Sequence, residues 1–123
     1  MAFTCYYYRS ESGRVPVKDF INSLDLRAKQ KFFFVRGLLE EFGRKLHEPY
    51  SKYIGSDIFE LRFKGQEGHI RVLYFFFYQD KVIFTNGFVK KADRTPKTEK
   101  MTAIERKNSF YSRVRDGQEV RHE

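Results

Sequence analysis

The feature that most constrains this chain is a change of hydrophobic period between residues 58 and 78. Phe59, Leu61 and Phe63 alternate with Glu60, Arg62 and Lys64, and after Gly65-Gln66-Glu67-Gly68 the alternation resumes as Ile70 and Val72 against His69 and Arg71. Then it stops: Val72 to Tyr78 is seven apolar residues in a row. A period of two with one charged face describes a strand wet on one side, whereas an unbroken apolar run of this length suits a strand covered on both. Gln79-Asp80-Lys81 turns the chain into a further strand, Val82 to Val89, so the three form an antiparallel meander.

A sheet covered on both faces needs helices, and the flanking sequence supplies them. Phe3 to Tyr8 reads as a first strand. Val17, Phe20, Ile21 and Leu24 follow Pro16 at helical spacing, and Asp25 then stands as the N-cap of a longer helix through Leu39 and Phe42 to a stop at Gly43. Their short link makes these two helices an antiparallel hairpin. A last helix is expected to open with Thr95 as N-cap and Pro96 in first position and to end near Arg113, with Met101, Ile104 and Tyr111 on one face. The expected fold is α+β in the order β-α-α-β-β-β-α, an antiparallel sheet packed against a helical hairpin with a C-terminal helix. Residues 1–113 make a single domain, and 114–123 read as a polar, disordered tail.

Phe32-Phe33-Phe34-Val35 sets a separate problem, because successive helix residues point about 100° apart and four of them cannot share one core. We expect the helix to lie between the sheet and its hairpin partner, which would cover the extra surface; a partner-binding face is the alternative.

Charge narrows the class of partner. There are 24 Lys and Arg against 16 Asp and Glu, a formal net charge of +8, and Lys90 to Lys107 alone carries seven basic and three acidic residues. With 41% hydrophobic residues the chain has too much apolar area for an unstructured polycation. A basic surplus on a compact domain points to nucleic acid, an acidic protein or an anionic lipid surface. Cys5 is the single cysteine, which rules out an internal disulfide and favours a reducing compartment. The seven-residue apolar run falls far short of the ~20 residues that cross a bilayer. The sequence from Met1 to Tyr8 has neither a charged leader nor a cleavage site, so the expected location is the cytoplasm, with no membrane partner.

Familiar catalytic constellations are absent. His47, His69 and His122 have no metal-ligand spacing among themselves or with Cys5, and there is neither a phosphate-cradling glycine loop nor a nucleophile elbow, so no metal and no cofactor is expected. Cations are what the sheet does offer. Arg62 and Arg71 stand a few positions from the turn on either strand of a hairpin, within reach of a common ligand. Lys90 and Lys91 end the last strand, and Arg94 and Lys97 follow on the way to the final helix.

The ordered series Ile58-Phe59-Glu60-Leu61-Arg62-Phe63, Arg71-Val72-Leu73-Tyr74-Phe75, Asn86-Gly87-Phe88-Val89-Lys90-Lys91 and Thr95-Pro96-Lys97-Thr98-Glu99 resembles the phage-derived HigB-like branch of the RelE/ParE toxin superfamily, over roughly residues 3 to 113. The resemblance implies the toxin of a type II toxin–antitoxin pair, a metal-independent endoribonuclease that cuts messenger RNA in the ribosomal A site. It also implies neutralisation by a cognate antitoxin with a helix-turn-helix domain.

Cleavage of RNA by its own 2′-hydroxyl needs a proton acceptor, cations around the phosphorane and a proton donor for the departing 5′ oxygen. On that reading Arg62 and Arg71 clamp the phosphate, Lys90 or Lys91 adds charge or acts as the acid, and His69 is the base. Lys52, Lys64, Arg94 and Lys97 would contact RNA, with Tyr111 as a stacking or proton-transfer residue. Two other functions fit the same fold: a ParE-like inhibitor of DNA gyrase acting by protein contact, and a non-catalytic RNA-binding module.

Overall fold

The structure is a computed structural model and describes residues 2–91 and 93–115. The chain forms β1 (Thr4–Tyr7), α1 (Pro16–Asn22), α2 (Leu26–Phe42), a single 3-10 turn (Gly43–Lys45), β2 (Ser51–Tyr53), β3 (Phe59–Gly65), β4 (Gly68–Phe77), β5 (Lys81–Lys90) and α3 (Lys97–Arg115). The strands make one sheet in the order β1-β5-β4-β3-β2, antiparallel except where β1 runs parallel to β5. This is the expected α+β architecture with one strand more.

That extra strand, β2, lies where the sequence shows only a loop. Three residues are too few to display a period, and its formation depends on the neighbour. Ser51 is buried against the sheet and its hydroxyl shares a 2.6 Å hydrogen bond with Tyr74 Oη. Next to it, the Arg62 amide donates to the Tyr50 carbonyl at 2.8 Å. The strand therefore satisfies part of the outer edge of β3, which would otherwise stand open.

β4 is covered on both faces, as its apolar run demands. Val72 and Tyr74 point into a core built with α1 and α2, where Val17, Ile21, Ala28, Phe32, Val35 and Leu39 meet Leu61 and Phe84. Leu73, Phe75 and Phe77 point the other way, into a second core closed by Ala103 and Phe110 of α3 together with Ile58, Ile83 and Phe88. Close approach at the first interface depends on Gly87, where a Cβ would lie 2.4 Å from the Phe20 ring.

Helix ends follow the sequence at α2 and depart from it at α3. Asp25 accepts a 3.1 Å bond from the Ala28 amide and caps α2, and Gly43 ends it at φ 53°, a left-handed conformation suited to glycine. α3 starts at Lys97, one residue later than expected, and the Thr95 hydroxyl donates to Glu60. At its other end α3 runs past Arg113 to Arg115, and Val114 packs against the second core. From residue 116 onward the expected tail lies outside the described residues.

The expectation for the aromatic run on α2 is corrected. Phe32 and Val35 are buried, but Phe33 and Phe34 are 56% and 60% exposed. α1 is only seven residues long and crosses near β5, so the hairpin partner does not reach round to that side of α2.

Candidate functional site

Strand register sorts the charged residues into rows. Lys64, His69 and Lys90 stand opposite one another across β3, β4 and β5; Arg62, Arg71 and Phe88 form the next row; Lys52, Glu60, Leu73 and Asn86 form the third, with Lys52 on β2. Partners directly opposite share a face, and Leu73 and Phe88 belong to the core beneath α3, so all three rows lie on the α3 side of the sheet. α3 covers the apolar end of that face. The cations occupy the end near the β3–β4 turn.

Glu60 organises this face. It is fully buried, and a buried carboxylate must be paired to remain ionised. Its Oε1 accepts from Arg62 Nε at 3.0 Å and lies 3.4 Å from Arg71 Nε, while its Oε2 accepts from the Thr95 hydroxyl. The Arg71 contact is within ion-pair range but out of line for a hydrogen bond, so that Nε–H has no acceptor. Arg71 also donates from Nη1 to the Ile70 carbonyl at 3.0 Å and is itself only 6% exposed. Arg62 is the more open of the two, and its Nη1 lies 3.3 Å from the exposed Glu48 carboxylate. Two guanidiniums and one buried carboxylate leave one net positive charge fixed in the sheet, and a phosphate displacing Glu48 would meet it.

His69 is exposed and sits between Lys64 and Lys90 in its row. Its pKa lies below the ordinary histidine value through loss of hydration and through the charges of Lys64, Arg71 and Lys90. The ring is consequently neutral at pH 7 and able to accept a proton.

The structure thus brings together Arg62, Arg71, His69, Lys64, Lys90 and, at the sheet edge, Lys52. Lys91 lies one residue beyond β5, and Arg94 and Lys97 flank Thr95, which its bond to Glu60 holds over the arginine pair. Tyr111 lies elsewhere: its ring packs against Phe75 and Phe77, at the far end of β4 from Arg71. Cys5 is buried and its thiol is pushed up to about 12, chiefly by burial, which removes it as a nucleophile near neutral pH. Among the described residues no three His, Cys, Asp or Glu side chains are grouped to hold a metal ion, and no helix is long and apolar enough to cross a membrane.

Glu60, Thr95 and Asn86 are the residues whose roles the sequence concealed. Asn86, buried beneath α3, donates from Nδ2 to the Glu99 carbonyl at 3.1 Å and to the Glu99 carboxylate at 3.0 Å, which fixes the first turn of the helix to the sheet. For Glu60 the signal the sequence does carry is an acid flanked on the same face by Arg62 and, across the hairpin, Arg71, which could balance it.

Residues 19–108 match the family described as phage derived protein Gp49-like (DUF891). The chain belongs to this Gp49-like family. The family is associated with toxin–antitoxin pairs. The Gp49-like segment takes in the whole cation face with Glu60, Thr95 and Asn86, whereas β1 and Tyr111 fall outside it. No curated protein matches the sequence.

Proposed function

We propose that this Gp49-like protein is the toxin of a type II toxin–antitoxin pair, and that it acts as a metal-independent endoribonuclease on messenger RNA held in the ribosomal A site. The observation that carries this reading is the register that sets His69 between Lys64 and Lys90, one row from the Arg62–Arg71 pair. His69 takes the proton of the 2′-hydroxyl as that oxygen attacks the adjacent phosphorus. Arg62 and Arg71 balance the charge gathering on the phosphorane, and Lys90 or Lys91 protonates the departing 5′ oxygen. The products are a 2′,3′-cyclic phosphate and a free 5′-hydroxyl.

The few side chains assigned to the chemistry do not by themselves fix the attacking 2′-oxygen, the phosphorus and the leaving 5′ oxygen in line, and we assign that alignment to the ribosome. Cytoplasmic location and neutralisation by a helix-turn-helix antitoxin belong to the same proposal. The test is inducible expression in bacteria of the wild-type protein and of Arg62→Ala and Arg71→Ala, followed by mapping of RNA 5′ ends. Cuts confined to translated regions and lost in both variants support the proposal. Retained cutting in both removes the site. Efficient cutting of naked RNA by the purified protein removes the ribosome from the mechanism.

A further inference from the structure

Phe34, 60% exposed on α2, lines a groove beside the sheet. The groove of about 750 Å³ runs from α2 over the edge of β3 to His69 and Arg71, a volume in the range of ligand-binding clefts. Its α2 wall is the stripe Arg27, Lys31 and Phe34, three residues at steps of four and three and hence on one side of the helix. The opposite wall carries Tyr50 and Lys64. Every ionisable group lining it other than Tyr50 and His69 is a Lys or Arg, and it has no carboxylate.

We propose that this groove is a binding site for single-stranded RNA, with a base seated on the Phe34 ring and backbone phosphates on Arg27, Lys31 and Lys64. Two observations favour that occupant. The lining sets the exposed Phe34 and Tyr50 among Arg27, Lys31 and Lys64, a combination that takes up stacked bases and phosphates without reading sequence. The groove is continuous with the arginine pair, so a strand leaving that site has a charged path over the β3 edge. The inference rests on reading the cation face as the place where RNA is cut, and it adds a second region of contact that positions the strand without taking part in the chemistry.

Fluorescence anisotropy with a labelled 2′-O-methyl RNA oligonucleotide, which cannot be cut by its own 2′-hydroxyl, separates binding from cleavage. Phe34→Ala is expected to weaken binding about tenfold, and Phe34→Trp to retain it. Arg27→Glu with Lys31→Glu is expected to weaken binding and to lower the slope of log affinity against log salt by roughly 1.4, the share of two phosphates. Circular dichroism confirms that each variant is folded, and all three positions lie on an exposed helix face. Affinities within twofold of wild type for Phe34→Ala and for the charge reversal overturn the inference. So does unchanged RNA affinity accompanied by loss of the antitoxin complex on co-expression, which would make the groove a protein-docking face. Groove-dependent binding by a protein that cuts no message would sink the nuclease reading and leave the groove standing; cutting that ignores the groove variants, with binding unchanged, would do the reverse.

Discussion

Arg62 and Arg71 stand directly opposite each other on β3 and β4, and both turn their Nε to the same oxygen of Glu60. Like charges placed opposite one another on a sheet repel, and the buried carboxylate turns that repulsion into a fixed unit. Because Thr95 donates to the other Glu60 oxygen, the approach to α3 is tied to the same group. Glu60→Ala is therefore expected to leave two guanidiniums unbalanced, one of them buried, and to cost about 3 kcal/mol or more of stability, read by urea unfolding. Glu60→Gln keeps the shape but not the charge and should fall between wild type and Glu60→Ala. A Glu60→Ala protein as stable as wild type would show that the carboxylate does not hold the pair.

His69 gives the pH dependence. Its pKa is depressed, so the neutral form needed in a base persists to lower pH than in an ordinary histidine. The acidic limb of the cleavage profile is expected to have its midpoint below the ordinary histidine value of 6.5. Lys64→Gln removes one of the cations responsible and should move the limb upward, towards 6.5. His69→Gln should lower the rate by about 10²–10⁴ and abolish the limb. A single-turnover pH series on the three proteins checks this, and an unmoved limb in Lys64→Gln would contradict the assigned cause.

The hairpin, the two-sided central strand and the α1–α2 pair were legible because each rests on local pattern: Asp25 and Gly43 at the ends of α2, the period of two in β3, the unbroken run in β4. β2 was not, since its three residues are held by contacts with Tyr74 and β3 rather than by any pattern of their own. The start of α3 departs from the local pattern for a related reason. Thr95 has the right side chain to cap a helix, and its hydroxyl donates to a carboxylate 35 residues away in sequence. Pairing across the turn placed Arg62 opposite Arg71 correctly, but the burial of Glu60 depends on which face α3 and its approach loop cover, and spacing alone does not carry that information.

Tyr111 tests where the site ends. Its ring lies 5.8 Å from Phe75 and 5.5 Å from Phe77, in a cluster that also holds Phe110 and attaches α3 to the apolar end of the sheet. Burial, the Asp57 carboxylate and Tyr78 raise its pKa above the ordinary tyrosine value, so the phenol stays protonated through the neutral range and has no route to act as a base there. Had this residue stacked on a base or moved a proton in the reaction, Tyr111→Phe would lower cleavage and Tyr111→Ala would lower it further at unchanged stability. The packing predicts the opposite division. Tyr111→Phe should leave both cleavage and RNA affinity at wild-type values, because the aromatic contacts survive without the hydroxyl. Tyr111→Ala should lose about 1–3 kcal/mol of stability, less than a fully buried aromatic because the ring is 40% exposed, and keep its activity per folded molecule. A loss of cleavage in Tyr111→Phe at unchanged melting temperature would extend the functional surface to this end of the sheet.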